Sequence, residues 1–288
     1  MSTAPSSGGV PAARQGTFPG ADGTPLFYVA WEAPAPAGAL LLSHGIGEHS
    51  GRYAELAREL AAHGVSTYAL DHRGNGRSPG QRGHVGRFGE FVADLEAFRR
   101  TVAAPVAGPL PLFLFGHSLG GLIALRHLEA HPEAGFAGAV LSAPALGVAV
   151  EAPRWKVALA GVLTHLLPAL PFSNHIDPAL LSHDEEYVRR YRDDPLVHPR
   201  ITPRLYTEIV AATRLAVEEA PRISVPLLFV VPGDDRIVRS AATEALARSL
   251  RGNVTVRVYP GFYHEVLNEV ERERVVRDIT AWIAPRLA

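Results

Sequence analysis

The sequence predicts an α/β fold, a mostly parallel sheet flanked by helices, with a helical segment inserted between two of its strands. Three observations predict it. Short apolar runs alternate with helix-periodic stretches, the rhythm stops at Pro144, and it resumes at Val225. Parallel strands require crossover connections, which are right-handed and lay helices on both faces of the sheet.

Each element has its own signal. Gln15 to Glu32 reads as a hairpin turning at Ala21-Asp22-Gly23, Ala39 to Ser43 as a buried strand, Tyr53 to His63 as a helix and Val65 to Leu70 as a strand. Phe88 to Val102 carries apolar residues at 88, 91, 92, 95 and 98, the period of a helix, and strand 112–115, helix 119–130 and strand 137–142 follow. Between Pro144 and Ser224 the helical fragments are cut by Pro153, Pro168, Pro171, Pro178, Pro195, Pro199 and Pro203, and no run there reads as a strand. Strand-like runs return at Pro226 to Val231 and Val254 to Tyr259. The core is therefore expected over residues 14–143 and 225–288, a helical cap or lid over 144–224, and a disordered tail rich in Ser, Ala, Pro and Gly over 1–13.

Composition narrows the function. The 288 residues, 47% hydrophobic, suffice for one large core with an insertion. A net charge of -1 offers no basic footprint, so nucleic acid is not an expected partner. With no cysteine, disulfides, thiolate catalysis and Cys-ligated metal sites are excluded. Cationic charge is arginine except for Lys156. The first residues lack a basic start and an apolar h-region, so no signal peptide is read there, and the expected location is the cytoplasm. The apolar stretch Trp155 to Leu167 is interrupted by Thr164 and His165 and is too short to span a bilayer. Its apolar side is expected either to face an acyl chain or a membrane surface peripherally, or to pack on the body of the fold.

The chemistry sits at strand ends. Leu112 to Phe115 runs into Gly116-His-Ser118-Leu-Gly120, the sequence form of a nucleophile elbow, in which a sharp strand-to-helix turn lifts a serine hydroxyl above the sheet. Serine is a poor nucleophile unless a histidine takes its proton and a carboxylate holds that histidine in the right tautomer. Asp234-Asp235 and His264 follow in the order Ser, Asp, His, each in a loop just past a strand's carboxyl end, where open α/β sheets bind ligands.

His44-Gly-Ile-Gly-Glu-His-Ser-Gly-Arg-Tyr53, Asp71-His-Arg-Gly-Asn-Gly-Arg-Ser78, Gly116-His-Ser-Leu-Gly120, Asp235-Arg-Ile-Val238 and Tyr259-Pro-Gly-Phe-Tyr-His-Glu265 together resemble the monoacylglycerol lipase and lysophospholipase group of α/β-hydrolases. Ile176-Asp-Pro-Ala-Leu-Leu-Ser182 and Tyr191-Arg-Asp-Asp-Pro-Leu196 are similar to that group's cap, and the likeness runs from about residue 15 to the C-terminus. The resemblance implies an α/β-hydrolase that cleaves monoacylglycerols without metal or cofactor, with Ser118 as nucleophile, His264 as base and Asp235 as its partner. It implies an oxyanion hole from the backbone N–H groups of Leu119 and Ile46, and substrate binding by Glu48, Arg52 and Tyr191. Lysophospholipids, short-chain esters and thioesters are alternative substrates, and some relatives are peptidases.

Several competing readings stand beside this one. Asp234 competes with Asp235, and Glu48 and Arg52 could instead brace the oxyanion loop. Glu265 and Glu269 rank below Asp235 because a residue beside His264 in sequence has no special reason to face its Nδ1. His117 is expected to support the elbow rather than react. Gly45-x-Gly47-x-x-x-Gly51 with Asp71 downstream is the best case for a dinucleotide-binding oxidoreductase, although its third glycine is one position late. His127 and His131 have a zinc-binding spacing but read as an exposed helix face. A non-catalytic scaffold is the other class of alternative.

Overall fold

The computed structural model describes residues 13–149 and 154–287. The predicted tail, apart from Ala13, lies outside them. In chain order the elements are β1 (Arg14–Pro19), β2 (Pro25–Trp31), β3 (Gly38–Ser43), α1 (Ala54–Ala62), β4 (Val65–Leu70), α2 (Gly89–Phe98), α3 (Ala104–Ala107), β5 (Leu112–His117), α4 (Leu119–Ala130) and β6 (Gly138–Ser142). The insertion carries α5 (Arg154–Leu166), β7 (Phe172–Ser173), α6 (Glu185–Asp193), β8 (Arg200–Ile201) and α7 (Pro203–Glu219). The sheet resumes with β9 (Leu227–Pro232), α8 (Ser240–Ser249), β10 (Val254–Tyr259) and α9 (Arg272–Ile283).

Eight strands form one sheet in the order β1-β2-β4-β3-β5-β6-β9-β10. The β1–β2 hairpin and the β2–β4 pair are antiparallel, and every pair from β4 to β10 is parallel. Strands β3, β4, β5, β6 and β9 are buried along their whole length, which is why all but β4, with its buried Ser66 and Thr67, read in sequence as largely apolar runs. Alternate residues still go to opposite faces. Leu41 and Leu114 pack with Leu95 and Phe98 of α2 and Leu122 of α4, whereas Leu40, Phe113 and Phe115 pack with Leu60 of α1 and Ile279 and Trp282 of α9.

The helix expected over 88–102 closes its α-helical part at Phe98, widens into a π-turn over Arg99–Ala103 and continues as α3. Pro105 has no N–H for the carbonyl of Thr101, and the wider turn makes room for its ring. The insertion differs from expectation in one respect, since β7 and β8 make a two-residue antiparallel ladder. A run that short has no periodicity to read.

The insertion is tied down onto loops at the strand ends. His198 donates its N–H to the Gly47 carbonyl, Thr202 to that of Gly83, and Glu265 in the β10–α9 loop to that of Leu181. Local signals start its helices: Asp184 Oδ1 accepts the Tyr187 N–H at 3.1 Å, and Thr202 Oγ1 accepts that of Leu205 at 3.2 Å ahead of Pro203. Helix α5 rests on α7, with Thr164 buried at 3.1 Å from Thr207. Its opposite side presents Trp155, Leu159, Val162 and Leu166 to solvent.

Leu114→Ala, in the middle of β5, should lower unfolding stability by roughly 2–5 kcal/mol in a denaturant titration. Val258→Ala, on a half-exposed position of edge strand β10, should fall within about 1 kcal/mol of wild type.

Candidate active site

The site is built where β5 turns into α4. Ser118 takes φ 52° and ψ -118°, a conformation L-residues avoid at a cost of about 1–3 kcal/mol. Its neighbours hold it there. The Ser118 N–H donates to Ser142 O at 3.0 Å, and its carbonyl accepts from Gly121, Leu122 and Ala145. Glycine is required two residues on either side because the backbone folds on itself: a Cβ on Gly116 would strike the carbonyl of Gly120, and one on Gly120 would strike those of Ser43 and His44.

His264, buried in the β10–α9 loop, places Nδ1 2.7 Å from Asp235 Oδ2. The other carboxylate oxygen of Asp235 accepts the N–H groups of Ile237 and Val238 at 2.8 and 2.9 Å. Burial works against its charge, but His264 and these two amides prevail and hold Asp235 below the usual carboxylate range. An ionised Asp235 makes Nδ1 the donor and leaves the Nε2 lone pair free to accept a proton. Asp234 is exposed and pairs with Arg236 at 3.1 Å. The contact to His264 thus belongs to Asp235 and not to its neighbour.

The loop after β3 is held rigidly. His44 Nε2 accepts the His72 N–H at 3.0 Å, so Nδ1 carries the proton and donates to the Gly45 carbonyl at 2.7 Å. Burial lowers the pKa of His44 and keeps it neutral in this role. Glu48 Oε1 accepts the Gly45 N–H at 2.5 Å and the Tyr53 hydroxyl at 2.7 Å. Gly45 is thereby held through both its N–H and its carbonyl, which fixes the course of the chain into Ile46. Leu119 is the first residue of α4, where a backbone N–H has no intrahelical acceptor and the helix dipole favours negative charge.

Glu48, Arg52 and Tyr191 do come together. Glu48 Oε2 accepts from Arg52 Nε at 3.1 Å, and the Arg52 guanidinium lies 4.4 Å from the centroid of the Tyr191 ring and 4.9 Å from that of Tyr187. Arg52 also donates to the Tyr187 hydroxyl. Beside this group, His49 Nε2 meets Asp194 Oδ2 at 2.9 Å. Tyr187 was missed in the sequence, although its i, i+4 relation to Tyr191 on one helix face was there to be read. His44 was likewise visible only as part of a motif, not as the brace of the loop.

One further sequence reading is corrected, and one alternative is removed. His127 is fully buried instead of lying on an exposed face; it meets Glu96 at 2.8 Å, and both oxygens of Glu96 are also held by Arg99. Asp71 is no ribose acid, since its two oxygens accept the N–H groups of Ser50 and Arg77, each at 2.7 Å. Its work is to tie the loops after β3 and β4 together.

Residues 34–271 match the family described as serine aminopeptidase, S33. The chain belongs to that family. It is a serine hydrolase of the α/β-hydrolase fold. The monoacylglycerol lipase of Mycolicibacterium smegmatis is 37% identical over 276 residues, which cover 94% of this chain and 97% of that protein. Human monoglyceride lipase is 34% identical over 93% of this chain and 89% of its own length. The crystal structure of Paleococcus ferrophilus monoacylglycerol lipase superposes with a TM-score of 0.83 at 36% identity, covering 91% of this chain and 99% of that one.

Asp235→Asn should lower kcat by about 10⁴, because an amide in that position favours the wrong tautomer of His264. Asp234→Asn should leave kcat near wild type, and steady-state ester hydrolysis by the two variants separates the roles.

Proposed function

We propose that this enzyme hydrolyses monoacylglycerols to fatty acid and glycerol through an acyl-serine intermediate. The observation that carries the proposal is a strained serine elbow beside a buried His264–Asp235 pair, in a chain similar along almost its whole length to lipases of that specificity. Ser118 Oγ attacks the ester carbonyl while His264 Nε2 takes its proton. The N–H groups of Leu119 and Ile46 hold the tetrahedral oxyanion, each contributing roughly 2.7–4 kcal/mol to the transition state. Collapse breaks the bond to glycerol, whose alkoxide takes the proton from His264, and water attacks the acyl-serine by the same route with His264 again as base.

At the alcohol end we assign Arg52 and Tyr191 to binding glycerol hydroxyls, with Glu48 in a double role. Its Oε1 is filled by Gly45 and Tyr53, while Oε2 accepts one bond from Arg52 and retains acceptor capacity for a substrate hydroxyl.

Residues 144–224 are assigned to a cap that meets lipid through α5. Trp155, Leu159, Val162 and Leu166 recur on one helical face and are all exposed, an apolar surface suited to a bilayer or micelle interface. No described helix is long and apolar enough to cross a membrane.

Purified enzyme is expected to release fatty acid from monoacylglycerols faster than from lysophosphatidylcholine, a p-nitrophenyl ester or an aminoacyl amide. Ser118→Ala should abolish turnover of all of them with little change in Tm. Preference for the phospholipid or the amide would overturn the substrate assignment while sparing the triad. In co-sedimentation with phosphatidylcholine vesicles, the double variant Leu159→Glu, Leu166→Glu should bind less than wild type; equal binding would remove α5 from the lipid contact.

A further inference from the structure

The residue before the nucleophile and the residue after the base meet each other. His117 ends β5 and Glu265 follows His264 directly, yet both side chains are buried, and His117 Nε2 lies 3.5 Å from Glu265 Oε1. The pair is anchored at both ends. His117 Nδ1 is 3.2 Å from the Ser142 hydroxyl, on the same residue whose carbonyl accepts the Ser118 N–H. Glu265 Oε2 accepts from Asn268 Nδ2 at 3.0 Å, and the Glu265 N–H donates to Leu181 of the insertion. The ring of His117 lies 4.9 Å from that of His264, centroid to centroid.

We propose that His117 and Glu265 form a buried positioning pair that sets the distance and angle between the Ser118 loop and the His264 loop. This rests on the triad reading above and adds to it a contact that neither Ser118, His264 nor Asp235 makes. The elbow and the base loop come from strands separated in the sheet by β6 and β9, so neither strand's own hydrogen bonds lock one loop to the other. A side-chain link between flanking residues transmits a shift of either loop directly to the reacting atoms.

The surrounding charges favour the ionised form of both partners. Around His117 stand Glu265 and His264 from the β10–α9 loop, Glu48 and Tyr53 from the segment after β3, and Asp235 from the loop after β9. Burial disfavours the imidazolium, but Glu265, Glu48 and Asp235 outweigh it and raise the pKa of His117. Around Glu265 stand His117, Arg52 and His264 and, within 4.8 Å, the like-charged Glu48 carboxylate, with Tyr53, Tyr187 and Tyr191 nearby. Burial disfavours the carboxylate, and His117, Arg52 and His264 together hold its pKa below the ordinary value. The two charges act in opposite senses on His264, and removing His117 leaves the Glu265 carboxylate uncompensated there.

The test compares His117→Gln, Glu265→Gln and the double variant in the full chain. The first readout is the rate at which a fluorophosphonate labels Ser118, which reports serine activation for any natural substrate. Each single substitution should slow labelling by roughly 10- to 100-fold, the range expected when reacting groups shift by up to 1 Å. The double variant should be no slower than the slower single, the signature of two residues acting as one unit. The second readout is the acid limb of kcat/KM for a p-nitrophenyl ester. It should move to higher pH in His117→Gln, where the carboxylate is left alone beside the base, and should stay near wild type in Glu265→Gln, where His117 loses the charge that chiefly offsets its burial and becomes neutral.

Near-wild-type labelling in either single variant, additive losses, or acid limbs that move together would each overturn the pair. If Glu265→Gln does not fold, Glu265→Asp keeps the charge on a shorter chain. It should slow labelling while leaving the acid limb in place, and unchanged labelling would count against the proposal. Wild-type enzyme that is labelled but does not hydrolyse monoacylglycerols would sink the substrate assignment alone.

Discussion

The whole arrangement depends on how closely the start of α4 approaches the end of β3. The backbone at Gly120 lies against the carbonyls of Ser43 and His44, and Gly116 lies against Gly120, so neither position can carry a side chain. That approach forces the reversal at Ser118 and its positive φ, and the strain is sustained by the backbone bonds Ser118 makes to Ser142, Gly121, Leu122 and Ala145. The same approach brings the loop after β3 beside the serine, with Gly45 packed towards the Ser118 Cβ. The serine elbow and the course of the loop after β3 are thus two consequences of one steric constraint.

Around that constraint the enzyme uses buried charge where an apolar core would have been easier to satisfy. Glu48, Arg52, His117, Asp235, His264 and Glu265 are all buried or nearly so, and all but a few of their polar atoms have partners. These charged groups join segments that the sheet does not join by itself: Arg52, paired with Glu48, donates to Tyr187 and so links the loop after β3 to α6, Asp235 links the loop after β9 to that after β10, and His117 links the latter to β5. Such pairs add little net stability. Their value is geometric, because a charge-assisted contact in a low-dielectric setting tolerates little displacement. The insertion shares this logic, held by backbone bonds to Gly47 and Gly83 on one side while its α5 face stays apolar and exposed on the other.

The central strands were legible mainly because burial on both faces leaves a largely apolar run, and the elbow was legible because strand, turn and helix are contiguous in the chain. The predicted bounds of β4, α4 and β10 agree with the structure, whereas helix 88–102 extends through a π-turn that Pro105 imposes. The ladder of β7 and β8 was not legible at two residues per strand. His127 read as exposed because a polar residue on a helix usually is; its burial follows from Glu96 and Arg99 on α2 and the turn after it, far away in sequence.

By itself the sequence determined the α/β framework, the serine elbow, the histidine and the pair of aspartates from which that histidine's partner comes. Those are local facts: each depends on residues within one strand, one turn or one loop. Only the tertiary structure decided that Asp235 and not Asp234 meets His264, that Asp71 ties loops together, that Tyr187 joins Arg52, and that His117 meets Glu265. Each of these is a choice among side chains of similar chemistry made by the direction in which a loop presents them. That direction is set by packing between segments far apart in the chain, which local periodicity and spacing do not encode.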